Sequence, residues 1–503
     1  MWQRIKNIYH LGNAFLANVW FGYPSRHLTV IGVTGTDGKT TIVSLIYHIL
    51  KEAGCNVSMV SSVGAVIGEK NYDVGFHVTT PSPWALQRFV KKASLCHPVI
   101  LNSSFDRLRM VSLPNPFQDP SHNEIPKSIR QAQDPEFIEG QVRNDKKRVR
   151  HDNRSRYLVL ETTSHALDQY RVWGIKFDIG VLTNVTHEHL DYHKTYKNYV
   201  KTKMKLLQKS KVSVINKDDA SYKLISSKLK AQNSKLQLKI QKLITYGMRT
   251  NADVNPQKFP FKTNLIGEFN RYNVLAAVAA CRELGINDQI IKEAILTFTP
   301  PIGREEFVHP SAGSGQVDFT VMIDFAHTPN AFEQILSAIK SSIKGRLIHV
   351  FGSAGERDAT KRPLMGNASS KYSDVIVLTA EDPRSESVEK IMEEIVIGID
   401  DRRWKVEDGG RRLKIENRIF KIADRQEAIN AAIGMARKGD FVLITGKSHE
   451  KSMNYGKGEE PWDEFGAVRK ALRNISERLP RRSRFATPPR WRGNDLDSSE
   501  VNF

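Results

Sequence analysis

Short apolar runs bounded by polar or glycine residues recur along this chain. They predict strands over 27–34, 157–162, 179–184, 211–216 and 242–246. Longer stretches with helical spacing lie between them, a rhythm that predicts an α/β fold with a largely parallel sheet. A second series of runs starts near residue 319, over 320–325, 346–351, 375–379, 420–423 and 441–445. Each of these ends at polar or glycine residues, where open α/β sheets hold their ligands.

The rhythm breaks in three places. Residues 1–26 form an apolar-aromatic segment, Ile5 to Trp20, with helical spacing. It is expected to be a helix docked on the following domain, a membrane-surface contact being the alternative. Residues 98–156 carry Pro114, Pro116, Pro120, Pro126 and Pro135, mixed charge and little periodicity. A loop of that length is uncommon inside a compact domain, so the segment is expected to be a disordered insert, with a small subdomain as the alternative. The arginine-rich tail 478–503, with Pro480, Pro488 and Pro489, is expected to be disordered.

The chemistry is concentrated after the first strand, in Gly35-Thr36-Asp37-Gly38-Lys39-Thr40-Thr41. A strand, a glycine turn and a Lys-Thr-Thr that opens an apolar-periodic helix together make a phosphate loop. Backbone N–H groups and a helix N-terminus cradle polyphosphate, the lysine reaches the β- and γ-phosphates, and the threonine hydroxyl faces Mg²⁺. Val33 stands where the eight-residue form of the motif has glycine, and an ordinary glycine turn is the competing reading. ATP and Mg²⁺ are the expected ligands.

Composition narrows the picture. The chain has 503 residues, 40% of them hydrophobic, enough for two or three domains. Three scattered cysteines, Cys55, Cys96 and Cys281, exclude a disulfide framework and a zinc site and fit a reducing cytoplasm. No run of about 18 apolar residues is present to span a membrane. The N-terminus lacks a secretory h-region. The net charge of +20 raises nucleic acid as a partner, but the charge is spread without interleaved aromatics, so none is expected.

Further motifs follow in order. They are Thr79-Thr80-Pro81, Glu161-Thr162-Thr163-Ser164-His165-Ala166-Leu167, Thr183-Asn184 and His189-Leu190-Asp191-Tyr192-His193. Then come Gly267-Glu268-Phe269-Asn270-Arg271-Tyr272-Asn273, Gly303-Arg304 and Asp324-Phe325-Ala326-His327-Thr328-Pro329. Gly355-Glu356-Arg357-Asp358, Asp382-Pro383-Arg384 and Gly446-Lys447-Ser448-His449-Glu450 complete the series. In this order the motifs resemble the Mur ligases, most closely the UDP-N-acetylmuramoyl-tripeptide synthetases (the MurE branch), over about 27–475 minus the insert.

The resemblance implies a central Mur-ligase phosphate-loop ATPase-like domain over 27–299 and a C-terminal Rossmann-like α/β domain over 300–477. It also implies ATP-dependent amide formation in peptidoglycan precursor synthesis, and with that a role in cell-wall biogenesis, cell shape and division. A carboxylate is converted to an acyl phosphate and attacked by an amine, so the protein must mainly clamp anionic oxygens and hold reactants in line. Carried over residue by residue, Gly35, Thr36, Asp37, Gly38, Lys39, Thr40 and Thr41 would hold the triphosphate, with Asn270, Asn273, Asp324 and His327 beside the nucleotide. Thr40, Glu161, His189 and, as a carbamate, Lys203 would serve Mg²⁺. Lys203 matches the family's carbamylated lysine, although a solvated helix face is the plain reading of its lysine-rich run. Lys39, His189, Lys203 and Arg304 would form the catalytic set.

On the substrate side, Thr79, Thr80, Thr163, Gln169 and Arg171 match positions that bind the UDP-muramoyl-peptide. Arg357, Asp382, Arg384, Gly446 and Glu450 match positions that bind the incoming amino acid. In this family an arginine at Arg384 accompanies meso-diaminopimelate, whose distal carboxylate it would pair bidentately. A surface ion pair with Glu381 or Glu386 is the plain alternative. The resemblance implies a cytoplasmic monomer acting on UDP-MurNAc-L-Ala-D-Glu.

Several positions depart from the family pattern. Asp37 stands for Asn, Glu188 for Asp, Glu381-Asp382 for Asp-Asn, and Ser448 for Gly. Only 34 residues precede Gly35, where the tripeptide synthetases carry a uridine-gripping domain. A folate-polyglutamylating or other Mur-like ligase is therefore a second reading. A non-catalytic ATP- or nucleic-acid-binding protein is a third, of another class.

Overall fold

Two sheets form where the apolar runs predict them. The computed structural model describes residues 2–75, 80–96, 156–236, 242–309, 318–399 and 418–478. The expected insert (but for Arg156), the tail beyond 478 and Thr79 lie outside the described residues.

The first sheet comprises β1 (Thr29–Thr34), β2 (Asn56–Ser61), β3 (Gly64–Ile67), β4 (Lys70–Tyr72), β5 (Arg156–Glu161), β6 (Phe177–Leu182), β7 (Ser210–Asn216) and β8 (Lys242–Tyr246). Their order is β4-β3-β2-β5-β1-β6-β7-β8. All neighbours are parallel except β2–β3 and β3–β4. β1 lies in the middle and is almost wholly buried, which explains its continuous apolar run. Helix α2 (Lys39–Glu52) and the alanine-rich helix Glu268–Glu283 pack on one face. Helix α3 (Pro83–Leu95), the 166–175 segment and Leu206 pack on the other.

The register Val33↔Glu161 between β1 and β5 places a carboxylate one strand away from the phosphate loop. The C-terminal ends of β1, β5 and β6 thus open on one crevice, the place where such sheets bind ligands. The β2–β3–β4 meander escaped the sequence reading, because its strands are short, half-polar and separated by glycine turns.

The second sheet has the order β13-β12-β11-β14-β10-β9. Its strands are β9 (Glu306–Phe307), β10 (Thr320–Asp324), β11 (Leu347–Phe351), β12 (Val375–Leu378), β13 (Ile419–Lys421) and β14 (Phe441–Thr445). Only β9–β10 is antiparallel. Helices Pro329–Ser342, Lys361–Tyr372 and Val388–Val396 cover one face, and Arg425–Met435 and Glu464–Arg478 the other. Both faces of a parallel sheet must be covered in this way for its strands to read as uniformly apolar.

At the N-terminus, α1 (Trp2–Phe21) lies against α3 and the 168–176 segment. Ala14, Ala17 and Asn18 form its buried side. Asn18 Nδ2 donates to the Trp173 carbonyl at 2.7 Å. The docked-helix expectation is what the structure shows. Among the described residues, no helix is long and apolar enough to cross a membrane.

Candidate active site

The phosphate loop joins β1 to α2 through a left-handed glycine. Gly38 has φ 81°, and a Cβ there would collide with Asn273 Oδ1. Gly35 is pressed against the Thr183 hydroxyl in the same way. The loop is fixed to β6's C-terminal end. Thr183 Oγ1 donates to the Asp37 carbonyl at 2.7 Å, and Asp37 N donates to Asn184 Oδ1 at 3.0 Å. Lys39 Nζ donates to the Thr36 carbonyl at 2.7 Å.

Beside the loop, Glu161 is only 1% exposed. It accepts from Thr40 Oγ1 at 3.1 Å and from the Ser62 backbone N–H at 3.0 Å. Arg304, from the segment entering the second sheet, donates through Nη2 to Thr40 Oγ1 at 3.1 Å. Its guanidinium lies 4.5 Å from the Phe325 ring centroid. Burial pushes its pKa down, and the nearby Asp324, Glu161 and Asp37 carboxylates oppose that shift. A hydroxyl and a carboxylate in contact are a donor set that suits a hard divalent cation. Among the described residues no three His, Cys, Asp or Glu side chains gather as a ready-made metal site. A cation here would depend on phosphate oxygens for further ligands.

Lys203 corrects the plain reading of its own run. Lys197, Lys201 and Lys209 are exposed, whereas Lys203 is 1% exposed and points inward. Its Nζ donates to the Gly35 carbonyl at 2.5 Å and lies 4.4 Å from the Tyr199 ring centroid. Burial, reinforced by the Lys39 charge, holds its pKa well below the usual lysine range. The low-dielectric pocket thus disfavours the charged form of this amine. His189 sits near by in a left-handed conformation, φ 56°. Its ring is edge-on to His165 at 4.9 Å and to Tyr199 at 6.2 Å. Although 38% of its side chain meets solvent, desolvation within the cleft and then the neighbouring His165 lower its pKa from the usual histidine value.

Asn270 and Asn273 are not helix caps. Gly267 occupies that position, and Asn273 Nδ2 donates to Asn270 Oδ1 at 2.9 Å beside the loop. Asp324 does not cap a helix either. It accepts from the backbone of Glu305 at 2.9 Å and of Ala326 at 2.7 Å, while Thr328 caps Pro329–Ser342. His327 Nδ1 lies 2.8 Å from the Phe325 carbonyl, and burial drives its pKa down to about 4.

The far walls hold the remaining candidates. Thr80 Oγ1 donates to the Glu161 carbonyl at 3.2 Å and accepts from Thr163 N at 3.2 Å. Arg171 donates to the Thr80 carbonyl at 3.1 Å and to Gln169 Oε1 at 2.7 Å. Opposite, Arg357 and Arg384 face the same cleft, and Arg384 donates to the Gly355 carbonyl. Glu386 is taken by Arg362, and no ion pair joins Arg384 to Glu381 or Glu386. Lys447 Nζ bridges Asp382 Oδ1 at 2.8 Å and Glu450 Oε2 at 2.7 Å. Ser448 adopts φ 48°, a conformation glycine tolerates better, and its hydroxyl donates to the Gly303 carbonyl at 2.6 Å. Thr80, Thr163, Gln169, Arg171, Arg357, Asp382, Arg384, Gly446 and Glu450 line one cavity of about 1020 Å³ together with the loop.

Sequence reasoning missed residues that lock the two sheets together. Lys361 Nζ reaches Glu188 Oε1 at 3.3 Å and the His327 carbonyl at 2.9 Å. The Leu190 N–H donates to Asp358 Oδ2 at 3.1 Å. Asp37 Oδ1 accepts from Thr328 Oγ1 at 3.0 Å, and Oδ2 from Asn330 Nδ2 at 2.8 Å. Its carboxylate thus faces the second sheet's helix, where both oxygens are hydrogen-bonded. The substitution itself was the one available signal.

This fold and cleft define a nucleotide-dependent enzyme of the phosphate-loop α/β class. A family model for the Mur ligase middle domain matches residues 33–106 and 144–281. One for the Mur ligase glutamate ligase domain matches 303–448. Among known proteins, the chain is 35% identical over 464 residues to the UDP-N-acetylmuramoyl-L-alanyl-D-glutamate–2,6-diaminopimelate ligase of Aquifex aeolicus (strain VF5), covering 91% of this chain and 80% of that one. A solved structure of a ligase of that name aligns with TM-score 0.50 and 26% identity, over 90% of this chain and 79% of the other. Folylpolyglutamate synthase of Mycobacterium tuberculosis, complexed with ADP and AMPPCP, shares the fold at TM-score 0.55 and 15% identity, over 93% and 96% of the two chains. The chain belongs to the Mur ligase family.

Proposed function

We propose that this protein is an ATP-dependent ligase that joins meso-diaminopimelate to UDP-MurNAc-L-Ala-D-Glu. The observation that carries the reading is the meeting, in one cleft, of the phosphate loop, the Thr40–Glu161–Arg304 contact and the Arg357–Arg384 wall. The names of relatives at 30–35% identity over most of the chain support the same substrates.

In this reading a carboxylate oxygen of the muramoyl dipeptide attacks the γ-phosphorus, and ADP leaves with the bridging oxygen's electrons. The acyl phosphate is then attacked by the amino group of diaminopimelate. The amine loses a proton, the C–O bond breaks and phosphate departs. Lys39 and the loop N–H groups hold the β- and γ-phosphates, and Arg304 offsets charge on the transferring group. Thr40, Glu161 and His189 would hold Mg²⁺, which when bound neutralises phosphate charge. Lys203, whose charged form burial disfavours, is suited to add CO₂ at Nζ and, on releasing a proton, become an anionic carbamate. Asn270, Asn273, Asp324 and His327 flank the nucleotide. Thr80, Thr163, Gln169 and Arg171 face the dipeptide. Arg357, Asp382, Arg384, Gly446 and Glu450 face the amino acid. These roles divide between 27–299 and 300–477.

The test is phosphate release from purified protein with ATP, Mg²⁺ and the muramoyl dipeptide nucleotide, with each amino acid added in turn. Release that depends on meso-diaminopimelate and not on lysine supports the reading. Release only with tetrahydrofolate and glutamate would replace it with the folate alternative, which shares the fold.

A further inference from the structure

Helix α1 buries one side and leaves the other bare. Ile8 and Tyr9 are each 69% exposed and Trp20 is 77% exposed. Phe15, Leu16 and Val19 are about half exposed. At 100° per residue these six side chains form one stripe along the helix, opposite the buried Ala14, Ala17 and Asn18. Gly12 sits within the stripe with open space around it. The helix is held rigidly enough to present this face. Besides the Asn18 bond, Asn7 Nδ2 donates to Asp168 Oδ2 at 3.3 Å. Trp20 and Phe21 pack edge-on to Trp84 of α3 at 6.5 and 6.3 Å. A bare apolar stripe on a folded protein marks a contact with something else.

Charge says what that partner is. Neither α1 nor α3 contains an aspartate or glutamate. Lys6, Arg88 and Arg26 are exposed on these helices and the turn that follows α1, and the whole chain carries +20. A second copy would bring the same two acid-free, basic helices against themselves. An apolar stripe with tryptophan at its edge, flanked by basic groups, matches the layered chemistry of an anionic lipid surface, where rings sit at headgroup depth and cations meet phosphates. We infer that α1 seats this protein on anionic bilayers, lying in the interface with its Ile8–Trp20 stripe inserted. Asp168, which holds α1, is followed by the cleft residues Gln169 and Arg171, so the substrate end of the cleft would lie beside the membrane.

The test is co-sedimentation of the full chain with vesicles of phosphatidylcholine, with and without phosphatidylglycerol. The wild type is expected to pellet with the anionic vesicles and to stay in solution with the neutral ones, and added salt is expected to weaken the binding. The triple variant Ile8→Glu/Leu16→Glu/Val19→Glu, at exposed stripe positions away from the Trp84 contact, is expected to bind at least about tenfold more weakly, since losing insertion of even one such side chain is worth roughly that factor. Its melting temperature and its phosphate release in solution stay unchanged. Wild-type protein that remains in solution with anionic vesicles overturns the inference, as does a triple variant that pellets equally. So does a wild-type dimer, or binding to RNA, that the triple variant alone abolishes.

Discussion

Replacing Asp37 by alanine tests whether the phosphate loop and the second sheet are coupled. Asp37 accepts one hydrogen bond from Thr328 and one from Asn330, at 3.0 and 2.8 Å, both across the cleft. Hydrogen bonds to a charged acceptor are worth up to about 1.5–3 kcal/mol, but Asp37 is half-buried, so about 1 kcal/mol each is the better figure. Losing both weakens the contact between the loop and the second sheet's helix by about 2 kcal/mol, roughly 30-fold in its population. Removing a carboxylate from a loop that faces phosphates does not weaken ATP binding and can tighten it. Asp37→Ala is therefore expected to lower kcat roughly 30-fold with an unchanged or smaller Kd for ATP, whereas Asp37→Asn, which keeps one of the two acceptor oxygens, loses about fivefold or less. Steady-state phosphate release and calorimetric ATP titration separate the two quantities. A kcat for Asp37→Ala within twofold of wild type, or a loss carried wholly by weaker ATP binding, refutes the coupling.

Three further variants probe the rest of the cleft. Lys203→Ala is expected to abolish phosphate release, and the ¹³C-NMR carbamate signal of protein equilibrated with ¹³C-bicarbonate disappears with it; a normal rate removes Lys203 from the mechanism. Arg384→Ala is expected to raise KM for meso-diaminopimelate by about 10–100-fold without changing KM for ATP, the loss of a bidentate charged pair; an equal rise for both substrates contradicts its place on the amino-acid wall. Glu381 is buried, its Oε2 has no hydrogen-bond partner among the described residues, and burial pushes its carboxyl up to about 8 despite Lys361 and Arg425. The folded state therefore holds a proton that the unfolded state releases near pH 4.5, so stability falls as pH rises from about 5 to 8. Glu381→Gln is expected to remove up to about 3 kcal/mol of that dependence, read as a melting-temperature difference from wild type that grows across the window; parallel profiles exclude the shift.

The parts of the site that the chain displays openly are those that depend on local sequence. The phosphate loop follows an apolar strand and opens a helix, so its role is legible from Val30 to Ser44. Glu161 is legible because it ends a strand run, and its nearness to Thr40 follows once β5 pairs with β1. Lys203 shows the limit. Its lysine-rich run suggests a solvated face, and only packing of Tyr199, Val200, Met204 and Leu207 against the first sheet turns that one lysine inward. Pairings such as Lys361 with Glu188, or Asp37 with Asn330, join residues far apart in the chain, and no local pattern encodes them. Ser448 was legible as a misfit for its φ, but its compensating bond to the Gly303 carbonyl depends on the two sheets meeting. The β2–β4 edge was invisible because short, half-polar strands carry little periodic signal.

Carboxylate activation is the centre of this account, and isotope transfer tests it most directly. UDP-MurNAc-L-Ala-D-Glu labelled with ¹⁸O in its reacting carboxylate is turned over with ATP, Mg²⁺ and meso-diaminopimelate, and the released phosphate is examined by mass spectrometry. An acyl phosphate carries one carboxylate oxygen into each phosphate, so one ¹⁸O per phosphate formed is expected. Unlabelled phosphate released at the same rate contradicts the account.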